Sequence, residues 1–232
     1  MEFGVYTFPG DISASGQGFV GYWDNAGIVQ WINSIGDINL SGLSDYASSV
    51  IMDQNNDVLV AGRIGVEDPT TGSHDCKVFI KKYDINGNII SNTESAVMSH
   101  FIPIEDGIKI NTDQNGNLYL YTSHNVTNDD PDYTFNSFPL NPIISNSQIL
   151  YKMDNNLSVL NALNFGTGSI DASQIITLSN NDVVLRSRSG SQYIFDNSIH
   201  TQDIIQYGNI THLNSNNDFI KFHTMGNTLG NV

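Results

Sequence analysis

The stretch Phe19–Trp31, FVGYWDNAGIVQW, consists of two short apolar runs around a turn, and it recurs along the chain. Phe79–Ser91 reads FIKKYDINGNIIS and Ile149–Asn161 reads ILYKMDNNLSVLN, with an aspartate at the same position in each copy. A weaker copy, Phe219–Asn231, has Thr224 at the aspartate position, so successive copies are spaced by 60, 70 and 70 residues. This recurrence predicts a protein built from repeated strand–turn–strand units.

A second motif alternates with the first and contains a turn rich in Asp, Asn and Gly. It occurs at Asp53–Val60 (DQNNDVLV), Asp113–Leu120 (DQNGNLYL) and Leu178–Leu185 (LSNNDVVL). Asp and Asn side chains hydrogen-bond to their own backbone, and Asn and Gly accept positive φ, so each motif is interpreted as a hairpin turn. The strings Asp84–Asn88 and Asp113–Asn117 also space oxygens like a calcium loop. No glutamate follows at the distance such a loop needs, which favours the turn.

Two hairpin turns in each repeat predict about four strands per repeat. Four short antiparallel strands at this period are typical of a β-propeller blade, whose sheet buries both faces by stacking on its neighbours. We therefore expect an all-β fold, a β-propeller-like array of four-stranded antiparallel blades with about four units, the last incomplete. We expect residues 1–232 to form a single domain, with units at 3–57, 58–117, 118–182 and 183–232. The chain is then a minimal propeller, a fragment of a larger one, or part of a ring that another copy completes.

The composition of the chain excludes several classes of partner and site. Charged residues make up only 14% of the chain, and the formal net charge of −15 repels phosphate backbones, so no nucleic-acid partner is expected. The single cysteine, Cys76, excludes an intrachain disulfide and a cysteine-based zinc site. No apolar run approaches the roughly 20 residues of a membrane span, so no membrane insertion is expected.

Several short motifs along the chain fit one repeat pattern. The first repeat supplies Trp31, Ile35-Gly36, Asp45 and Ala61-Gly62, the second supplies Tyr83-Asp84, Gly87-Asn88, Asp106 and Asp113–Tyr119, and the third keeps Asp154, Phe165-Gly166, Asp171 and Asn181-Asp182. This pattern resembles the SBBP-type bacterial β-propeller repeat family. The resemblance implies an extracellular or surface-exposed bacterial protein. The expected location is therefore extracellular, the cell surface or a virion, although Met1–Gly10 lacks the basic and apolar regions of a signal peptide. It also implies a scaffold without shared catalytic residues.

The connection between the first and second strands of each predicted unit lengthens along the chain. It runs from Pro9–Gly18 through Val66–Asp75 to Ser123–Ser147, with another long stretch at Ser189–Asn217. Insertions on one face of a repeat array often form its binding face. These connections are therefore the predicted location of a binding site.

The segment Asn125–Phe138 in the longest connection combines carboxylates with three aromatic residues. Oxygen ligands at this density suit calcium, and adjacent rings suit stacking on a sugar. An ordinary acidic surface loop, anchored by its aromatic residues, is the alternative. The predicted ligand-binding residues are Asn128, Asp129, Asp130, Asp132, Tyr133, Phe135 and Phe138, with Asp129, Asp130 and Asp132 as candidate calcium ligands.

The sequence favours binding over catalysis. Asp45, Asp106 and Asp171 recur at one repeat position, which indicates a structural role because a catalytic carboxylate is expected to be unique. No nucleophile elbow, phosphate-binding loop or dinucleotide fingerprint occurs. We expect a non-catalytic binding module, a bacterial surface or virion-associated protein that recognises a glycan or a protein, with no cofactor beyond the candidate calcium. Two alternatives stay open: a propeller-type glycan hydrolase or lyase, and a purely structural subunit of a larger assembly.

Overall fold

The computed structural model describes residues 18–36, 45–67, 74–96, 107–124, 134–135, 138–139, 147–165, 171–189, 192–195, 198–201 and 207–225. Every regular element in these residues is a β-strand, which confirms the predicted all-β class. Accordingly, they contain no helix that could span a membrane. The strands are β1 (Phe19–Trp23), β2 (Val29–Ser34), β3 (Tyr46–Met52), β4 (Val58–Glu67), β5 (His74–Tyr83), β6 (Ile89–Glu94), β7 (Ile108–Thr112), β8 (Leu118–His124), β9 (Thr134–Phe135), β10 (Phe138–Pro139), β11 (Ser147–Met153), β12 (Val159–Phe165), β13 (Asp171–Thr177), β14 (Val183–Ser189), β15 (Gln192–Phe195), β16 (Ser198–Thr201), β17 (Tyr207–Leu213) and β18 (Phe219–Met225).

The described strands form three four-stranded antiparallel sheets and three two-stranded hairpins. We call β3–β6 sheet I, the set β7, β8, β11 and β12 sheet II, and the set β13, β14, β17 and β18 sheet III. In each sheet the strands pair in chain order, which makes it a meander. The hairpin β1–β2 precedes sheet I, while β9–β10 and β15–β16 are inserted between the second and third strands of sheets II and III. The prediction of four antiparallel strands per repeat is confirmed.

Seven five-residue turns join paired strands of the hairpin β1–β2 and the three sheets. In each turn the N–H of the first residue donates to the carbonyl of the fifth, and the N–H of the fourth donates to the carbonyl of the first. The turns span 24–28, 53–57, 84–88, 113–117, 154–158, 178–182 and 214–218. The fourth residue has positive φ in all seven, as Gly27, Asn56, Gly87, Gly116, Leu157, Asn181 and Asn217. Six of the seven are predicted hairpin turns and are confirmed, whereas the turn predicted at Thr224 is not among them.

Side-chain hydrogen bonds explain why aspartate recurs at the first position of these turns. In six of the seven, Oδ1 of the first residue accepts the N–H groups of the third and fifth residues. The exception begins with Leu178, and there the Asn180 side chain accepts the N–H of Asp182 at 3.2 Å. The carboxylates of Asp84 and Asp113 are thus used inside their own turns, as the turn interpretation predicts.

The two ends of the sheets carry different kinds of connection. We call the end with the five-residue turns the turn end. The opposite end, which we call the loop end, carries the connections between second and third strands and those that lead from one sheet to the next. The predicted long connection Ser189–Asn217 is wrong in its extent, because Tyr207–Leu213 is strand β17 and a turn follows it.

The hairpin β1–β2 and sheets I, II and III stack face to face in chain order. Each junction is an apolar cluster of buried side chains contributed by both neighbours, including Trp31 and Phe79 in the first, Ile80 and Ile149 in the second, and Leu150 and Leu185 in the third. Because successive side chains of a strand point to opposite faces, a middle sheet supplies one set to each neighbour. Sheets I and II are therefore buried on both faces.

Neighbouring sheets approach each other along their first strands. β3 contacts β7, and β7 contacts β13. Ser49 Oγ accepts the N–H of Ile110 at 3.2 Å, and Thr177 Oγ1 donates to the carbonyl of Thr112 at 2.7 Å. The first strands thus lie together along one side of the stack.

The sheets are offset by one strand from the predicted units. The predicted boundaries at 57/58, 117/118 and 182/183 fall in the turns between first and second strands. Each sheet therefore takes its first strand from the preceding unit. Sheet III consequently has all four strands, because β13 supplies the first.

The predicted alignment of the fourth copy is wrong. Phe219–Met225 is the fourth strand of sheet III, so Thr224 does not lie in a turn. The turn residue that corresponds to Asp24, Asp84 and Asp154 is Asn214, whose Oδ1 accepts the same two backbone N–H groups. The string FIK is shared by residues 79–81 and 219–221 and shifted the alignment by one strand.

Candidate functional site

An open cleft of about 370 Å³ lies at the turn end, between the hairpin β1–β2 and the turn 84–88 of sheet I. This volume is in the range of small-ligand sites, about 300–1,000 Å³. Aromatic, aliphatic and polar side chains meet there. The residues that line it are Tyr22, Asp24, Gln30, Trp31, Ile85 and Asn86.

Trp31 is the most constrained residue of the cleft. Its Nε1 donates to the carbonyl oxygen of Ile85 at 2.9 Å, and its ring stacks on that of Tyr83 with 5.6 Å between centroids. Gly87 has φ +84°, and a Cβ on it would lie 2.7 Å from Cγ of Trp31. Position 87 therefore needs glycine both for the turn and for the approach of the indole. These contacts attach the hairpin to sheet I.

The apolar wall of the cleft is formed by two aromatic rings and an isoleucine. The rings of Tyr22 and Trp31 lie 6.2 Å apart with 31° between their planes. Tyr22 is half-buried, and Ile85 is 43% exposed. Because Trp31 is buried, the half-exposed Tyr22 ring and the Ile85 side chain form the apolar surface that is open to a small ligand.

The polar rim of the cleft consists of one carboxylate and two amides. Asp24 Oδ1 accepts the backbone N–H groups of its own turn, and Oδ2 accepts Nε2 of Gln30 at 2.9 Å. Asn86 is exposed on the facing turn. Because a carboxylate has about four lone-pair sites and an amide both donates and accepts, this rim can bind a ligand that carries several hydroxyl groups.

A buried ion cluster lies elsewhere at the turn end, between sheets I and II. Lys82 Nζ lies 2.9 Å from Asp53 Oδ2 and 3.1 Å from Asp57 Oδ2, and it donates to Asn155 Oδ1 at 2.9 Å. The side chains of Lys82 and Asp53 are about 5% exposed. The cluster ties the first turn of sheet I to a turn of sheet II.

Both buried members of this cluster are held in their charged forms. Burial alone raises the pKa of Asp53, but hydrogen bonds from Lys82 and from two backbone N–H groups leave it below the ordinary 3.8. Burial lowers the pKa of Lys82, but hydrogen bonds to Asp53 and Asp57 leave it above the ordinary 10.5. Neither group is suited to exchange a proton near neutral pH, so the geometry is that of a structural ion cluster.

The same strand position carries related but different contacts in sheets II and III. Lys152 corresponds to Lys82, and its Nζ donates to the carbonyl of Ser215 at 2.6 Å. His212 is the corresponding residue of sheet III, and its Nε2 lies 2.9 Å from Asp182 Oδ2. The hairpin β1–β2 has Tyr22 at this position, so the cleft occupies the place of the buried cation.

The predicted ligand-binding loop is only partly described. Asn128, Asp129, Asp130, Asp132 and Tyr133 lie outside the described residues.

Two aromatic residues of that loop are placed in the hairpin β9–β10. Phe135 is fully buried, and its ring lies 5.0 Å from that of Tyr151 in the cluster between sheets I and II. Phe138 pairs with Phe135 in the hairpin and is half-buried. The burial of Phe135 favours the interpretation of these aromatics as anchors of the connection.

The described residues contain no group of three or more His, Cys, Asp or Glu side chains that could hold a metal ion. The calcium prediction concerns Asp129, Asp130 and Asp132, which lie outside that part of the chain. The structural role predicted for Asp45 is supported, because the buried carboxylate accepts the N–H of Gly65 at 2.8 Å. Its Oδ2 also lies where a Cβ on Gly36 would be, so the approach of this carboxylate requires glycine at position 36.

The sequence prediction missed the cleft, although a signal for it was present. Trp31 corresponds to Ser91 and Asn161 in the later copies, and Tyr22 corresponds to Lys82 and Lys152. Aromatic residues therefore replace polar ones at two repeat positions, in the first copy only. Differences between aligned repeats would have indicated this site more directly than the composition of a single loop.

No protein-family model matches this chain, and no curated protein sequence matches it significantly.

Proposed function

We propose that this protein is a non-catalytic binding module that recognises a glycan through the cleft between the hairpin β1–β2 and sheet I. The observation that carries the proposal is the pairing of the Tyr22 and Trp31 rings with a rim of Asp24, Gln30 and Asn86. Sugars present an apolar ring face and a ring of hydroxyl groups. The half-exposed Tyr22 ring beside carboxylate and amide groups complements both features.

The scaffold in this proposal is an SBBP-type β-propeller. Its support is the chain-order stacking of four-stranded meanders and the meeting of the first strands along one side. In a propeller the first strands of the blades surround the axis, and that arrangement requires neighbouring first strands to be close. Such a scaffold suits a protein at a cell or virion surface.

The insertions at the loop end are a second place for a partner in this proposal. Phe135 of the segment Asn125–Phe138 is buried in the core between sheets I and II. Calcium binding by Asp129, Asp130 and Asp132 stays a prediction. It is checked by calcium titration of the full chain, in which tight uptake of an ion would support it.

The glycan proposal is tested by sugar titration of the full chain. The chain has two tryptophans, so a Trp23→Phe variant leaves Trp31 as the only indole fluorophore. Glucose, galactose, mannose, N-acetylglucosamine and sialic acid are each titrated to roughly 100 mM, which detects affinities near −4 kcal/mol. At least one of them is expected to change the Trp31 emission with a saturable curve.

Two cleft variants and a matched control decide whether the cleft is responsible. Tyr22→Ala and Asn86→Ala are each expected to weaken the binding at least about tenfold, a loss of about 1.4 kcal/mol. Asn156→Ala is the control, because Asn156 occupies the same place in the corresponding turn of sheet II and is exposed. If no sugar in the panel binds, or if all three variants bind as well as the parent, the proposal is wrong.

A further inference from the structure

At each junction inside the stack, one face of an element packs on the opposite face of the next element. We call the face toward the preceding element the backward face and the face toward the following element the forward face. In sheet I, Phe79 and Tyr83 of the third strand pack toward the preceding hairpin, and both are at most 1% exposed. In sheet II the corresponding residues, Ile149 and Met153, pack toward sheet I and are fully buried. Leu213 of sheet III is fully buried against sheet II. This backward face is therefore covered in sheets I, II and III.

The hairpin β1–β2 has the same backward face, but the face is exposed. The residues that correspond to Phe79 and Tyr83 are Phe19 and Trp23, which are 52% and 36% exposed. Val20 and Tyr22 alternate with them and pack on sheet I. The hairpin thus presents two large apolar side chains on the side away from the rest of the described stack.

Sheet III leaves the opposite, forward face partly exposed. Leu59 and Ile80 of sheet I and Tyr119 and Leu150 of sheet II form this face, and each is at most 3% exposed. In sheet III the face carries Val184 and Ile210, which are half-buried, Ile176, which is 44% exposed, and Arg186, which is exposed. The two ends of the stack therefore expose one forward and one backward face.

A repeated hydrogen bond at the junctions indicates how these faces fit. In each junction a side chain donates to the second residue of the following turn. The three pairs are Trp31 with the Ile85 carbonyl, Lys82 with Asn155 Oδ1, and Lys152 with the Ser215 carbonyl. His212 stands at the position of the two lysines, and the second residue of the first turn is Asn25, which is exposed.

We propose that the forward face of sheet III binds the backward face of the hairpin β1–β2 on a second copy of this chain, head to tail. The occupant is a second copy because each chain carries both halves of a junction that it already forms three times internally. Such a heterologous contact closes into a ring or extends into an array. The cleft lies on the other side of the hairpin. A failure of self-association therefore does not contradict glycan binding, and a failure of glycan binding does not contradict self-association.

Three substitutions of exposed apolar residues test the contact. Phe19→Asp blocks the backward face, Ile176→Asp blocks the forward face, and Ile90→Asp alters a 53%-exposed isoleucine on the edge strand β6 as a matched control. Mass is measured by light scattering and sedimentation from roughly 5 to roughly 500 µM, the range of weak interfaces. About 0.5 M NaCl screens the mutual repulsion of the acidic chains.

The parent chain and Ile90→Asp are expected to exceed the monomer mass as concentration rises. Phe19→Asp and Ile176→Asp are each expected to associate at least about tenfold more weakly, and circular dichroism confirms that both remain folded. An equimolar mixture of these two variants retains one intact pair of faces, so it is expected to form dimers and nothing larger. A parent that stays monomeric throughout, or a mixture that forms no dimer, overturns the proposal.

Discussion

The turn end and the loop end of the sheets differ in how much each connection is constrained. At the turn end all seven turns have five residues, the same two backbone hydrogen bonds and a positive φ at the fourth residue. At the loop end the connections range from the short link between β4 and β5 to links that contain a further hairpin. The difference indicates that the uniform turns fix the register of the strands that they join. Loop length is free to vary because loop closure costs little extra free energy as length grows.

The two ends also differ in their ion pairs on strand β5. Lys82 at the turn end is buried against Asp53 and Asp57. Lys77, toward the loop end, pairs with Glu94 at 3.1 Å, and both side chains are about 31% exposed. Two lysines of one strand therefore allow a direct comparison between a buried and a half-exposed ion pair.

The largest expected effect is that of Lys82→Met. Removing the cation leaves Asp53 and Asp57 without their counter-charge at a buried junction, which is expected to cost about 3–5 kcal/mol of unfolding free energy. Lys77→Met is the matched control and is expected to change it by less than about 1 kcal/mol, because water screens the exposed pair. Urea unfolding of the full-length variants measures both values. Equal losses in the two variants would contradict the contrast between the ends.

Acid unfolding tests the buried ion cluster of Lys82 in a second way, and the expected change in stability is smaller. The pKa of Asp53 is lowered in the folded protein, so its contribution to stability is complete above the unfolded value near 3.8 and is lost as pH falls through the folded pKa below it. Because the pKa of Lys82 is raised in the folded protein, its contribution to stability is lost only as pH rises above 10.5. In Asp53→Asn the loss of stability below pH 3.8 is expected to be shallower than in the parent. Urea midpoints from about pH 2 to about pH 7 measure it, and parallel curves would contradict it.

The features that could be predicted from sequence are those that depend on a few adjacent residues. Asp, Asn and Gly in one pentapeptide determine a turn, so both turn motifs and the four strands per repeat were predictable. The fourth copy was misaligned because Asn214 replaces the aspartate, while residues 219–221 repeat the sequence FIK of an earlier strand. The turn in the third copy was predicted correctly although Leu157, with positive φ and a buried side chain in the cluster between sheets I and II, replaces its glycine.

The cleft could not be read from one stretch of the chain. Trp31 and Ile85 are 54 residues apart, and they meet only because the hairpin stacks on sheet I. The segment 125–138 was predicted as the binding loop because it contains carboxylates and aromatic rings. Phe135 nevertheless lies in the core between sheets I and II, so its packing depends on the sheets and not on the loop sequence. Contacts between repeats depend on which faces stack, and that information is spread over residues far apart in sequence.

The smallest expected effect concerns the one turn among the seven that lacks an Asp or Asn at its first position. Leu178 is 37% exposed, and an Asn there can accept the N–H groups of the third and fifth residues, as Asn214 does in the other turn of the sheet. Leu178→Asn is therefore expected to stabilise the protein by about 0.5–1 kcal/mol, and the reciprocal Asn214→Leu is expected to destabilise it by a similar amount. Urea unfolding of both variants measures the pair. A loss of stability in Leu178→Asn would mean that the packing of the leucine side chain contributes more than the turn hydrogen bonds that it lacks. The preference for Asp or Asn at the first turn position would then not hold for this turn.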